Sequence, residues 1–79
     1  MNIYDHYAET QELADLLRKE NLGDYADALV KAMQEGATGT EIFMALRWNV
    51  KNIVATKKCS DLTEVKARRL YQELDKALQ

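Results

Sequence analysis

Residues 36–50, GATGTEIFMALRWNV, contain the clearest helix start in the chain and lead directly into its most apolar run. Thr38 and Glu41 have the T-x-x-E spacing of a capping box, in which the threonine hydroxyl accepts a hydrogen bond from the amide of the third helical residue. The glycines resemble a phosphate-binding loop, but such a loop ends in a lysine that meets the phosphates, and this one leads to Glu41 instead. The segment therefore predicts a capped helix start and no nucleotide site.

The helix that starts here is expected to run from Gly39 or Thr40 to about Ala55 and to have two apolar faces. At about 100° per residue, one face collects these residues: Ile42, Phe43, Leu46, Val50, Ile53 and Val54. Met44, Trp48 and Ala55 fall on nearly the opposite side. Two interpretations of this second face are open. Either the helix is central and Trp48 belongs to the core, or Met44 and Trp48 anchor a partner protein, since tryptophan is common among the residues that dominate interfaces.

Helical periodicity also organises the rest of the chain, which contains no proline and no sustained alternation of apolar and polar residues. Three further helices are predicted: from Ile3 or Asp5 to Glu20, from about Asp24 to Glu35, and from a cap at Ser60 or Asp61 to the end of the sequence. Gly36 is expected to end the second of these in a left-handed conformation. Because the connections are short, we predict an all-α fold, a compact antiparallel bundle of about four helices in a single domain over residues 1–79.

Length and composition limit what the chain can build. It has 79 residues, enough for one domain, and a chain of this size buries roughly 60% of its unfolded surface. Its composition, 47% hydrophobic and 30% charged, is typical of a globular protein. No apolar run approaches the roughly 20 residues of a membrane span, and the N-terminal MNIYDHYAET lacks the basic start and apolar stretch of a signal peptide. We therefore expect a cytoplasmic protein that does not bind membranes.

Residues with catalytic or metal-binding potential are few and isolated. His6 is the only histidine, and it lies at the edge of the apolar stripe of the first helix, where we expect it to be packed. Cys59 is the only cysteine, and the polar run TKKCSD around it predicts an exposed, reduced thiol. The sequence contains neither a nucleophile–base spacing nor a metal-ligand pair such as E-x-x-H. We predict no enzymatic activity, no catalytic residue, no metal and no cofactor.

Charge is distributed unevenly along the chain, although the net charge is only -2. Residues 1–40 contain eight acids and three bases, whereas residues 41–79 contain five acids and eight bases. The acids of the first two helices join Met44 and Trp48 as candidate partner-binding residues: Glu9, Glu12, Asp15, Asp24 and Asp27. Such an acidic face would attract a basic protein surface and repel nucleic acid. The alternative is that these acids are solvated helix faces without a binding role.

Two consecutive segments resemble a known class of proteins. The sequences LADLLRKENLGDYADALVKAM (residues 13–33) and GATGTEIFMALRW (residues 36–48) are similar to small helical bacterial proteins associated with immunity proteins of toxin systems, including those of contact-dependent growth inhibition. The similarity extends over about residues 12–78 and is concentrated in residues 36–48. The resemblance implies a cytoplasmic inhibitor that binds and neutralises a cognate toxin domain, for example a nuclease, through protein–protein contact. It transfers no individual site residue.

Two alternatives come from other classes of function. Residues 24–35, the following turn and the third helix could form a helix-turn-helix that binds DNA. However, the recognition helix would then begin with Thr40 and Glu41, and an acidic domain binds DNA poorly. The other alternative is a homo-oligomeric helical protein in which Trp48 contacts a second copy of the chain.

Overall fold

The computed structural model describes residues 3–79 and consists of four α-helices joined by short connections. The helices are α1 (His6–Lys19), α2 (Gly23–Glu35), α3 (Gly39–Thr56) and α4 (Asp61–Leu78). No strand occurs within residues 3–79. The structure confirms the predicted all-α fold, and each observed helix end lies within a few residues of the predicted one.

The four helices form an antiparallel bundle in which each helix packs against two neighbours. Helix α1 contacts α2 and α4, and α3 contacts the same two helices from the other side. Consecutive helices are joined by only three or four residues, and such short connections favour antiparallel neighbours. In this ring, the side formed by α1 and α2 lies opposite the side formed by α3 and α4.

All four helices contribute to one core. Its fully buried apolar residues are Leu13, Ala14 and Leu17 from α1, Ala26 and Leu29 from α2, Leu46, Val50 and Ile53 from α3, and Ala67, Leu70 and Leu74 from α4. Two apolar residues near the start of the chain are exposed instead, one before α1 and one in its first turn. Ile3 lies outside the helix and is 87% exposed, and Tyr7 is 43% exposed.

Polar side chains cap three of the helix starts. Asp5 Oδ1 accepts a hydrogen bond from the Ala8 amide at the start of α1, and Ser60 caps α4 in the same way. At the start of α3, the Thr38 hydroxyl accepts from the Glu41 amide at 3.1 Å, which confirms the predicted cap. The Glu41 carboxylate reaches back one residue further than a capping box requires and accepts from the Ala37 amide at 3.3 Å.

The prediction that Gly36 ends α2 in a left-handed conformation is wrong. Gly36 has φ -69° and ψ 135°, an extended conformation, and the left-handed residues are Asn21 and Lys57. A glycine is needed at this position for a steric reason, because a Cβ there would collide with Cγ1 of Ile42. The close approach lets the connection between α2 and α3 pass directly over the first turn of α3.

None of the helices in the described part of the chain is both long enough and apolar enough to span a bilayer.

Candidate interaction surface

The second apolar face of α3 is exposed to solvent. Trp48 is 66% exposed and Met44 is 53% exposed, whereas Leu46 between them in sequence is fully buried. Both neighbours of α3, namely α2 and α4, lie on the side of its buried face. Of the two interpretations left open by the sequence, the one that places Trp48 in the core is therefore wrong.

A shallow groove runs along the junction of α3 and α4 beside Trp48. We call it the α3–α4 groove and define it by its lining residues: Met44, Arg47, Trp48, Lys51, Val54, Arg68, Tyr71 and Gln72. Half of these side chains are apolar or aromatic, three are cationic, and none is acidic. Aromatic, methionine and arginine side chains are enriched at protein–protein contacts, so the composition of the groove is that of an interface.

The three cations of the groove differ in how they are compensated. Arg47 forms an ion pair with Asp75 of α4 at 2.7 Å, and Arg68 forms one with Glu64 of its own helix at 3.3 Å. Lys51 is exposed and forms no ion pair within residues 3–79. The groove therefore carries a positive charge that the rest of the described chain leaves partly uncompensated.

Two of the predicted acidic residues of α1, Glu12 and Asp15, already contact other side chains of the chain. Glu12 accepts a hydrogen bond from Nζ of Lys66 of α4 at 3.0 Å, which lowers the pKa of Glu12. The neighbouring carboxyl group of Glu12 raises the pKa of Glu9. Asp15 is exposed and contacts the side-chain amide of Gln11 at 3.4 Å. Glu9 and Glu12 thus belong to the junction of α1 with α4.

The acidic residues of α2 lie apart from that junction. Asp27 forms an ion pair with Arg18 of α1 at 2.8 Å, and both side chains are largely exposed. Asp24 is exposed at the start of α2, beside a surface depression that also includes Lys58. The five predicted acids therefore do not form one continuous face, and two of them, Glu12 and Asp27, are paired with cations of the same chain.

Met44 and Trp48 lie together, but the structure separates them from the acids of α1 and α2. The α3–α4 groove and the α1–α2 side are on opposite sides of the bundle. A typical interface buries about 800 Å² of each partner, a small part of the 5182 Å² that this chain exposes. One ordinary interface therefore covers one of these surfaces and not both.

Sequence reasoning missed the α4 residues of the groove. Neither Arg68 nor Tyr71 is among the candidate partner-binding residues that the sequence suggested. Tyr71 is half-buried and lies at the edge of the apolar stripe of α4, about 70° from the direction of its buried residues, so its ring reaches the groove. The position of Tyr71 at the margin of the apolar stripe of α4 was the feature of the sequence that could have indicated this contact.

The two residues with potential chemistry are both packed. The ring of His6 lies 4.6 Å from that of Phe43 and 5.1 Å from that of Tyr4, and its Nε2 is 3.2 Å from the carbonyl oxygen of Glu73. This confirms the expected packed role of His6. Cys59 is half-buried, so the prediction of an exposed thiol is wrong, and burial raises the pKa of the thiol.

No protein-family model, no curated protein and no solved structure shows significant similarity to this chain. Residues 3–79 also contain no group of three or more histidine, cysteine, aspartate or glutamate side chains placed to hold a metal ion. Function is therefore inferred from the chemistry of the exposed surface and from the resemblance centred on residues 36–48.

Proposed function

We propose that this chain is an immunity protein that binds and neutralises a cognate bacterial toxin domain through protein–protein contact. The resemblance centred on residues 36–48 suggests the class, and the exposure of Trp48 and Met44 is the observation that supports binding. A tryptophan on a helix surface leaves a large apolar area in water, and covering that area with a partner releases free energy. The proposed site of action is the bacterial cytoplasm.

The proposed inhibitor acts by occupying the surface of the toxin and not by catalysis. Its α3–α4 groove is open and shallow, which suits a protein surface better than a small substrate, because small-molecule sites are usually deep and enclose most of their ligand. The packed surroundings of His6 and Cys59 are consistent with structural roles for both residues.

The alternative of a helix-turn-helix DNA-binding protein receives less support from the geometry. In such a protein the outward face of the recognition helix, which would be α3 here, carries polar side chains that read base edges. The outward face of α3 carries Met44 and Trp48 instead, and its first turn adds the carboxylate of Glu41. The phosphate backbone would repel that carboxylate.

Co-expression with the product of the adjacent gene tests the proposal. We expect the adjacent protein to be toxic alone, to be tolerated when this chain is present, and to co-purify with it as a complex. The Leu46→Ala variant is a useful control for folding, because any weakening of its binding should come with a less stable helical fold. If no protein is retained, and the chain binds duplex DNA with sequence preference, the inhibitor proposal is wrong.

A further inference from the structure

We propose that the α3–α4 groove binds an acidic segment of a partner protein, which places an apolar side chain against Trp48. The inference deepens the proposed function, on which it rests only in requiring a protein partner. The partner segment proposed here is acidic. The acids of α1 and α2 had instead suggested a partner with a basic surface.

Charge complementarity carries the proposal. The groove presents three cations and no acid, and two of those cations, Arg47 and Arg68, are each held in place by one carboxylate of the chain. A guanidinium has five N–H donors, so each arginine has donors available for a second carboxylate. Lys51 has no acid partner within residues 3–79 and lies between the two arginines along the groove. Carboxylates are the groups that this arrangement binds best.

The apolar side chains of the groove indicate where a side chain of the partner would pack and exclude water. Trp48 and Met44 stand one helical turn apart on the outer face of α3, and the half-buried ring of Tyr71 lies beside them on α4. Tryptophan and tyrosine contribute most when a partner side chain excludes water from them. The occupant therefore combines carboxylates with at least one aromatic or large aliphatic side chain.

A second copy of this chain fits the groove less well. A two-fold interface would bring the groove against itself, so Lys51, Arg47 and Arg68 would face the same three cations. Like charges opposed across an interface cost several kcal/mol. A head-to-tail contact with the α1–α2 side would have to compete with the ion pair that Asp27 already forms with Arg18.

Single-stranded nucleic acid is also anionic, but the groove lacks the features that bind it. Such sites combine several uncompensated cations along a backbone track with successive aromatic platforms. Here only Trp48 offers a largely exposed ring, only Lys51 among the groove cations has no acid partner, and the net charge of the chain is -2. An acidic protein segment matches the groove better because its contacts include apolar ones.

A random peptide library displayed on phage, selected against the full chain, tests the proposal. We expect the selected peptides to carry aspartate or glutamate around an aromatic or large aliphatic residue. Binding of a labelled selected peptide, measured by fluorescence anisotropy, should weaken at least about tenfold in Trp48→Ala and in Lys51→Glu. It should also weaken as salt concentration rises. Trp48 is the only tryptophan, so binding should shift its emission to shorter wavelength.

Matched variants outside the groove serve as controls. Leu62 is 64% exposed on α4 but does not line the groove, so Leu62→Ala should leave peptide binding unchanged. Lys31 is an exposed cation of α2, so Lys31→Glu makes the same charge change as Lys51→Glu at a distant place. Unchanged helical circular dichroism in all four variants would show that the differences arise at the groove.

Several results would overturn the proposal. These are selection of basic peptides, failure to enrich any peptide that depends on Trp48, saturable binding of a labelled single-stranded oligothymidylate, and self-association that Trp48→Ala abolishes. A toxin complex that survives both Trp48→Ala and Lys51→Glu would reject the groove and leave the immunity function standing. Groove-dependent binding of acidic peptides without any toxin partner would reject the immunity function and retain the groove.

Discussion

Helix α3 has two apolar faces with different environments. On the inner face, Leu46, Val50 and Ile53 are at most 1% exposed, whereas on the outer face Met44 and Trp48 are 53% and 66% exposed. The sequence gives both faces the same helical spacing, so the difference arises from the position of α2 and α4, which both pack on the inner side. An apolar stripe shows that a helix has a surface suited to burial. Whether the chain itself buries that surface depends on where the surrounding helices pack.

The largest difference should appear between a buried leucine of the inner face of α3 and an exposed leucine of α4. Leu46→Ala leaves a cavity in the centre of the core and should lower the free energy of unfolding by about 2 to 5 kcal/mol. Leu62→Ala removes the same atoms from a side chain that is 64% exposed. It should change the free energy of unfolding by less than about 0.5 kcal/mol. Urea unfolding followed by far-ultraviolet circular dichroism measures both. Equal effects would mean that the inner face is not the core.

Gly36, in the connection before α3, and Gly39, the first residue of α3, test how closely the chain packs at the start of this helix. Gly36→Ala places a Cβ against Ile42 and should cost roughly 1 to 3 kcal/mol, as overpacking usually does. Gly39→Ala meets no atom within 4 Å at the first position of the helix, and should be neutral or stabilise by up to about 1 kcal/mol. The same urea experiment compares them. A neutral Gly36→Ala would show that Ile42 moves aside at little cost.

Low pH should weaken the joint between the end of α1 and the start of α4, where Glu20 contacts Ser60 and Thr63. The carboxylate of Glu20 accepts hydrogen bonds from the Thr63 hydroxyl and from the amide and hydroxyl of Ser60, and these contacts lower its pKa. A carboxyl whose pKa is lower in the folded state stabilises the fold above its unfolded pKa. That contribution is lost as the pH falls through the folded pKa.

We therefore expect Glu20→Gln to cost roughly 1 kcal/mol near neutral pH, since Glu20 is only half-buried and its hydrogen bonds compete with water. The difference from the unsubstituted chain should shrink when the pH falls below the ordinary glutamate value of 4.5. Glu35→Gln, at an exposed acid with only a distant lysine contact of 3.9 Å, is the control and should show neither effect. A difference that persists at low pH would mean that the charge of Glu20 is not what stabilises the joint.

Periodicity predicted the four helices and the two faces of α3, and the T-x-x-E spacing predicted the Thr38 cap, because these features depend on residues within one or two turns of each other. The exposure of Trp48 depends on which helices flank α3, and local spacing carries no information about that. The cationic groove depends on Arg68 and Tyr71, which are some twenty residues from Trp48 in sequence and adjacent to its surroundings only after folding. Gly36 was misassigned because composition does not distinguish a glycine that needs a left-handed φ from one that needs space.

Trp48 should contribute little to stability, although peptide binding should depend strongly on it. Trp48 is 66% exposed, so replacing it removes little area that folding takes out of water. Trp48→Ala should therefore change the free energy of unfolding by no more than about 0.5 kcal/mol. The emission maximum of the unsubstituted chain should likewise shift little on unfolding in urea, because the indole is in contact with water in both states. A destabilisation as large as that of Leu46→Ala would place Trp48 in the packed interior and would remove the basis for proposing that the outer face of α3 binds a partner.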